Sequence, residues 1–350
     1  AYTTIKKPSD YFNTKLYTGD GTSNQSITGV GFQPDFTWLK IRSDSHFHNL
    51  FDVIRGVNKA LVSDDSGAEH TDDQYGWLSS FDSDGFTTQD GSNATHWSVN
   101  KSGDTYASWN WKANGAGSAN TDGSISSTVS ANTTSGFSIV SYTGNSTSGA
   151  TVGHGLGSVP KMIIIKARDR GDNWIVGNDS LGWTKNLKLN LTNAASTATN
   201  IWNDTAPTSS VFTLGDNTPV NYTDNFIAYC FAEKQGYSKF GSYTGNGSAT
   251  NGTFVYLGFK PAFVMMKKYN NSNSADWLIL DNKRDTYNVA DSHLDANNSD
   301  AESSASWVNT DFLSNGFKLR TTDETINNGS YIYMAFAEQP LVGDNPATAR

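Results

Sequence analysis

The chain has 350 residues and a formal net charge of −9, from 25 Lys and Arg against 34 Asp and Glu. Nucleic-acid binding needs a concentrated basic surface, and no basic cluster here exceeds two residues, so the composition argues against a nucleic-acid partner. Only 36% of the residues are hydrophobic, yet 10 Trp, 15 Tyr and 18 Phe are present. Disordered chains are poor in aromatic residues, so we expect a folded, turn-rich protein with aromatic cores.

The sequence offers neither a disulfide framework nor a membrane span. Cys230 is its single cysteine, and one thiol cannot form a bridge within the chain. The apolar runs are far shorter than a membrane-spanning helix, and residues 1–8 lack the apolar segment of a signal peptide. We therefore expect synthesis in a cytoplasm, without a secretion signal and without membrane insertion.

The first segment, residues 1–13, is polar except near its end. It contains Pro8 and then the aromatic pair Tyr11 and Phe12. We expect this segment to form a short N-terminal arm, with Tyr11 and Phe12 as the residues that dock it onto a partner.

After the arm, one sequence pattern occurs three times. Each copy opens on Tyr-Thr-Gly, passes through a Gly-x-x-Pro turn and a hydrophobic run, and closes on an aromatic-rich strand. The copies open at Tyr17, Tyr142 and Tyr243. Self-similarity at a fixed period marks a duplicated structural unit, and such unusual repetition suits a binding or building-block protein better than an enzyme.

The repeat predicts three units, named units one, two and three, over residues 14–113, 137–235 and 236–340. Residues 114–136 are rich in Gly, Ser, Thr, Asn and Ala and are expected to form a flexible linker, with at most an edge strand inside it. The short joint between units two and three predicts that these two pack closely and that unit one is freer. Residues 341–350 are expected to be a loose tail. The fold class is all-β, as three tandem β-sandwich-like repeats with a short N-terminal arm.

A lysine ends the hydrophobic run in every unit. An ion pair or a strand-end position that lets the amine reach solvent is the favoured interpretation, and a substrate-binding cation is the alternative. An Asp-x-x-Arg motif follows the lysine in units one and three and has no clear counterpart in unit two. We therefore predict a Lys–Asp or Arg–Asp contact in units one and three only. The residues concerned are Lys40, Lys166, Lys267, Asp52, Arg55, Asp281 and Arg284.

Several tryptophans lie outside the repeated pattern and are candidates for contact with a glycan or a protein partner. They are Trp77, Trp97, Trp183, Trp202 and Trp307. Trp174 and Trp277 follow the strand lysine and are interpreted as core residues instead.

No motif for catalysis or metal binding stands out. His46-x-His48 lacks a third ligand at a suitable spacing, and the stretch 295–300 lacks the alternating ligands of a calcium loop. Solvated histidines and turn formation are the favoured interpretations. The sequence contains no nucleophile elbow, phosphate loop or zinc-protease motif. We therefore expect no catalytic residue, no metal site, no cofactor and no enzymatic activity.

Three phrases of the chain resemble structural proteins of tailed bacteriophages that infect marine bacteria. They begin at Gly136 (GFSIVSYTGN), Gly258 (GFKPAFV) and Ser314 (SNGFKLR), and the opening AYTTI with PSDYF is similar to the start of those proteins. The resemblance covers nearly the whole chain. It implies a component of the virion and transfers no catalytic residue.

The favoured hypothesis is a non-enzymatic virion surface protein made in the host cytoplasm, either a tail fibre, spike or knob or a capsid decoration protein. Such a protein would mediate assembly and adhesion to the host surface. Its expected partners are capsid or tail proteins of the same virion, further copies of itself and a host surface glycan. An array of carbohydrate-binding modules, in which avidity multiplies weak sites, and a polysaccharide depolymerase, which needs a pair of carboxylates, are the alternatives.

Overall fold

The computed structural model describes residues 3–71, 73–93, 98–270, 275–343 and 346–348. About 43% of the chain is strand and 6% is helix, in several antiparallel sheets. The all-β, sandwich-type fold predicted from the sequence is therefore confirmed.

Unit one forms a five-stranded main sheet and a three-stranded small sheet. The main sheet has the order β1-β8-β3-β4-β5 and the small sheet the order β2-β7-β6. The strands are β1 (Phe12–Thr18), β2 (Ser23–Thr28), β3 (Phe36–Ile41), β4 (Asn49–Asp52), β5 (Leu61–Val62), β6 (Trp77–Asp82), β7 (Gly85–Gln89) and β8 (Thr105–Trp111).

The second part of the chain forms an eight-stranded main sheet, β16-β15-β14-β13-β18-β11-β10-β9, and a small sheet of β12 and β17. Two single-turn helices, α1 (Thr199–Trp202) and α2 (Thr218–Asn221), lie in the loops. The strands are β9 (Ser118–Asn120), β10 (Ser127–Asn132), β11 (Phe137–Thr143), β12 (Ala150–Gly153), β13 (Met162–Ala167), β14 (Ile175–Asn178), β15 (Lys185–Lys188), β16 (Ser196–Thr197), β17 (Val211–Leu214) and β18 (Asn225–Phe231).

The expected linker over 114–136 contains two of these strands, so its description as a flexible linker is wrong. β10 pairs with β11 along its whole length, with Val129 opposite Val140, and β9 pairs with β10. Ser127 and Val129 are buried and Thr128 between them is exposed, which is the period-2 alternation of a half-buried strand. The segment extends the main sheet of unit two and is counted with that unit below.

Unit three forms a six-stranded main sheet, β19-β27-β21-β22-β23-β24, and a small sheet, β20-β26-β25. The strands are β19 (Ser238–Thr244), β20 (Phe254–Tyr256), β21 (Phe259–Lys268), β22 (Leu278–Asp281), β23 (Ser292–Asp295), β24 (Ser303–Ser304), β25 (Thr310–Leu313), β26 (Gly316–Leu319) and β27 (Ser330–Pro340).

The three main sheets share one strand succession. In each, the closing strand (β8, β18 or β27) lies between the Tyr-Thr-Gly strand and the lysine strand, and at least two further strands continue outward from the lysine strand. The three-repeat interpretation rests on this correspondence together with the sequence pattern.

A single apolar cluster takes buried residues from all three main sheets, for example Trp111, Phe231 and Phe336. This is the central core. The opposite face of each main sheet packs on its own small sheet through a separate outer core. The lysine strands are buried along their full length because both of their faces are covered. Unit one contributes to the central core like the other two units, so the expectation of a freer unit one is wrong.

Candidate functional site

The three units meet in a closed cycle of equivalent main-chain contacts. In each contact, the donor is the main-chain N–H of a residue that follows the fifth strand of the shared succession (β5, β15 or β23). The acceptor is the carbonyl of the residue two positions after the repeat lysine of the next unit. The pairs are Glu69 to Arg168 at 2.7 Å, Ala195 to Tyr269 at 3.0 Å and Glu302 to Arg42 at 2.8 Å. Unit one therefore binds unit two, unit two binds unit three, and unit three binds unit one. This is the head-to-tail geometry of a closed ring.

Buried tryptophans reinforce two of these junctions. The Trp174 indole Nε1 donates to the Val62 carbonyl at 2.8 Å, and the Trp277 indole Nε1 donates to the Lys188 carbonyl at 2.9 Å. Both rings are fully buried, in agreement with their interpretation as core residues. A buried indole needs a hydrogen-bond partner, and here the neighbouring unit supplies it.

The corresponding position before β4 holds His48, which is buried within the aromatic core. Its Nδ1 accepts from the Trp38 indole at 2.9 Å, and its ring stacks on Trp109 with centroids 6.4 Å apart. Burial lowers the pKa of His48 well below the ordinary value, so the ring is neutral. The solvated-histidine interpretation is therefore wrong for His48.

The junction of units one and two contains a buried ion pair. Arg55 and Asp52 are 2.5 Å apart, and neither side chain is exposed to solvent. Arg55 also contacts Glu69 at 3.3 Å, and the Tyr229 hydroxyl of unit two donates to the same Asp52 oxygen at 2.8 Å. The carboxylate therefore bridges an arginine of its own unit and a tyrosine of the next.

The junction of units three and one repeats this arrangement. Arg284 and Asp281 are 2.5 Å apart and unexposed, and the Trp109 indole of unit one donates to Asp281 at 3.1 Å. Burial alone would raise the pKa of Asp281, but the charge and hydrogen bonds of Arg284 outweigh it and lower that pKa. Glu302 contacts both Arg284 and Arg42. The predicted Arg–Asp contact is thus present in units one and three.

The junction of units two and three has an uncharged version. Asn178 ends β14, at the position of Asp52 in β4, and Leu181 occupies the position of Arg55. Met334 of β27 stands where Tyr229 stands in β18, as the pairing of the two strands shows. The aspartate, the arginine and the aromatic hydrogen-bond donor are therefore all replaced in this junction. Their joint replacement indicates that these three residues act together.

The three repeat lysines are fully buried, so the proposed strand-end position reaching solvent is wrong. Each amine donates to main-chain carbonyls, and two of the lysines reach a neighbouring unit. A buried ammonium needs such partners because it is otherwise costly. The contacts are Lys40 to Ile41 and Ser299, Lys166 to Ala167 and Arg170, and Lys267 to Thr192 and Ala275.

Burial lowers the pKa of Lys40, Lys166 and Lys267 to about 8, against an ordinary value of 10.5. Between pH 8 and 9 the unfolded chain therefore binds more protons at these lysines than the folded chain does. The free energy of unfolding should then rise with pH in this window, by up to about 1.4 kcal/mol per pH unit for each lysine. Chemical denaturation at pH 8 and pH 9 measures the rise, and Lys40→Met should remove about a third of it. A flat or falling free energy would contradict this assignment.

The aromatic candidates for surface contact are mostly internal. Trp183 and Trp202 are buried in the outer core of unit two, where their rings meet edge to face with centroids 5.2 Å apart. Their proposed role as exposed platforms is wrong, because two large apolar rings gain more by filling the space beneath the main sheet. Trp77 and Trp307 are half-buried against the outer cores of units one and three. Trp97 lies outside the described residues.

The N-terminal segment does not extend from the body as a docking arm. Phe12 begins β1 and is 1% exposed, inside the central core. Tyr11 is half-buried against Tyr237, and Ile5 is also part of the core. The docking role proposed for Phe12 is wrong because pairing with β8 and aromatic packing fix this segment in the body.

The remaining chemistry of the described residues is sparse. They contain no group of three or more His, Cys, Asp or Glu arranged to hold a metal ion. Cys230 is buried, and burial raises the pKa of its thiol, which removes its reactivity as a thiolate. Within the same described part of the chain, no helix has the length and apolar content to cross a membrane.

Sequence reasoning missed the partners that each buried pair takes from the next unit. Glu69, Glu302, Tyr229 and Trp109 carried no local signal of this role. A weak signal was available in Arg42 and Arg168, since both follow the repeat lysine by two residues.

A protein-family model described as a domain of unknown function, DUF7483, matches residues 7–340. The match covers most of the chain, which therefore belongs to this family. Comparisons with curated proteins and with solved structures gave no match.

Proposed function

We propose that this member of the DUF7483 family is a non-enzymatic structural protein on the surface of a bacteriophage particle, as part of a tail fibre, spike or knob or as a capsid decoration. Its partners are capsid or tail proteins of the same particle. The observation that carries the proposal is the closed ring of three units around one core. The resemblance of the chain to structural proteins of tailed phages is the reason for proposing a phage particle.

The ring gives one chain the internal organisation of a closed trimer. Three equivalent junctions join the units head to tail, and the central core draws on all three main sheets. A chain with a single unit would need two further copies to cover this face, whereas here the face is covered within the chain. Contacts with other copies or with particle proteins therefore use the outer surface, as suits a rigid building block.

The use of the charged residues also favours structure over catalysis. Asp52 and Asp281 are held by arginines at 2.5 Å without solvent exposure, and the repeat lysines bind main-chain carbonyls. A glycosidase needs two carboxyl groups flanking a substrate cleft. The buried charges that the sequence singled out instead join one unit to the next, which supports a structural protein over a depolymerase.

Labelling intact phage particles with an antibody against this chain, viewed by electron microscopy, tests the proposal. We expect label on the particle surface. Label over the head would identify a capsid decoration protein, and label restricted to the tail or its tips would identify a fibre or spike component. Particles without label, from a lysate in which the antibody detects the chain, would overturn the proposal.

A further inference from the structure

A groove with a volume of about 340 Å³ lies on unit one where the loop before β4 meets the loop after β5. Its lining includes Phe47, Tyr75, His46, His70 and Asp65. We infer that this groove binds a neutral saccharide ring. The inference extends the proposed function by adding a ligand.

The apolar wall of the groove is an exposed aromatic ring. Phe47 is 49% exposed, although its neighbours His48 and Asn49 are buried in the sheet. Tyr75 adds a half-buried second ring. Exposed phenyl surface at the mouth of a cavity is unfavourable until a ligand covers it, and the C–H face of a sugar ring is a flat apolar surface that fits it.

The polar part of the lining suits hydroxyl groups. The exposed carboxylate of Asp65 accepts hydrogen bonds, and His46 and His70 add imidazole rings to the polar part of the lining. Sugar hydroxyls can donate hydrogen bonds to the Asp65 carboxylate. A cavity with aromatic walls and a few polar groups is the usual form of a small-molecule site.

The charge of the lining decides between neutral and anionic ligands. Among the described residues that line the groove there is no Lys or Arg, and Asp65 contributes a negative charge. The Asp65 carboxylate would repel a phosphorylated, sulfated or carboxylated sugar. The inferred ligand is therefore an uncharged sugar.

Unit two provides an internal comparison. A groove of about 290 Å³ lies at the equivalent place, between β15 and the loop that follows it. Lys188 ends β15 as Val62 ends β5, and Ser196 stands where His70 stands, since each follows the residue that donates to the next unit. The described residues that line the unit-two groove include no aromatic side chain. The aromatic wall is thus a feature that unit one adds to a shared depression.

Saturation-transfer NMR on the intact chain, with the methyl glycosides of glucose, galactose, mannose and N-acetylglucosamine as probes, tests the inference. A glycan array of neutral bacterial oligosaccharides extends the search. We expect binding of at least one probe, and Phe47→Ala should weaken it by about tenfold or more. Phe47→Tyr, which keeps the ring, should retain binding.

Tyr256→Ala is the matched control, because Tyr256 is an equally exposed aromatic, 54% accessible, on unit three. It should leave binding unchanged. Because Phe47 is half-exposed, Phe47→Ala should keep the thermal midpoint of the parent, which separates lost binding from lost folding. Absence of binding to every probe and array glycan, or equal binding by Phe47→Ala, would overturn the inference. Since the isolated chain is used, such a failure leaves the particle-labelling result standing.

Discussion

Replacing Asp52 by Asn should lower the free energy of unfolding by about 3–5 kcal/mol, because it leaves the Arg55 guanidinium buried without its main counter-charge. The side chain of Arg55 has no solvent exposure, so water cannot replace the lost partner. Burial would lower the pKa of Arg55, but the negative charges of Asp52 and Glu69 raise it, and a guanidinium remains ionised in proteins even without its main partner. Chemical denaturation at neutral pH measures the loss.

The chain itself supplies the control for this experiment. Unit two carries Asn178 and Leu181 at the corresponding positions, so the double variant Asp52→Asn, Arg55→Leu introduces two of the three residues of an existing uncharged junction and leaves Tyr229 in place. Asn178 keeps the turn contact, since its oxygen accepts from the Ser180 N–H as Asp52 accepts from Ile54. The double variant should therefore be more stable than Asp52→Asn alone. A single variant within about 1 kcal/mol of the parent would show that the pair behaves as a surface ion pair.

Trp111→Ala should cost about 3–5 kcal/mol and weaken all three main sheets together. Trp111 is 1% exposed, and its ring lies within 6 Å of Phe12 and Phe36 of unit one and of Phe263 and Phe336 of unit three. Removing it opens a cavity at the junction of units one and three. Hydrogen exchange read by mass spectrometry should show faster exchange in β3, β13 and β21 alike.

Tyr287→Ala is the control for this second prediction, since Tyr287 is 79% exposed and its removal should leave exchange unchanged. Faster exchange confined to unit one in Trp111→Ala would mean that the units unfold separately. That result would contradict a shared central core.

The sequence predicted what depends on local pattern. The aromatic closing strands and the Gly-x-x-Pro turns indicated an all-β fold, and the Asp-x-x-Arg spacing placed Arg55 against Asp52 within one turn. These contacts join residues that are close in the sequence, so residue composition and spacing are sufficient to predict them. The alternation around Val129 was visible as well, but the polar composition of its surroundings outweighed it in the linker prediction.

The closure of the ring depends on contacts that no local sequence pattern predicts. Tyr229 reaches Asp52 across 177 positions, and Trp109 reaches Asp281 across 172. Glu69 and Glu302 have the same role but stand at different distances from their Asp-x-x-Arg motifs, because the intervening loops differ in length. Tandem repeats in a sequence are equally compatible with separate modules and with a closed ring.

The tryptophan assignments failed for a related reason. Trp183 and Trp202 lie outside the repeated pattern, which favoured a surface role, yet a repeat can bury residues that it does not share with its neighbours. The outer core of unit two rests on a small sheet of only two strands, and these two rings contribute to the core beneath its main sheet. Burial in this case follows from the space that the fold leaves, which the sequence does not reveal.

If the three units form one body around a shared core, scanning calorimetry of the intact chain should show a single unfolding transition. The calorimetric enthalpy of that transition should equal the van't Hoff enthalpy, which is the signature of an all-or-none process. Two or three separable transitions, each with the enthalpy of about 100 residues, would show independent modules and would contradict a shared core.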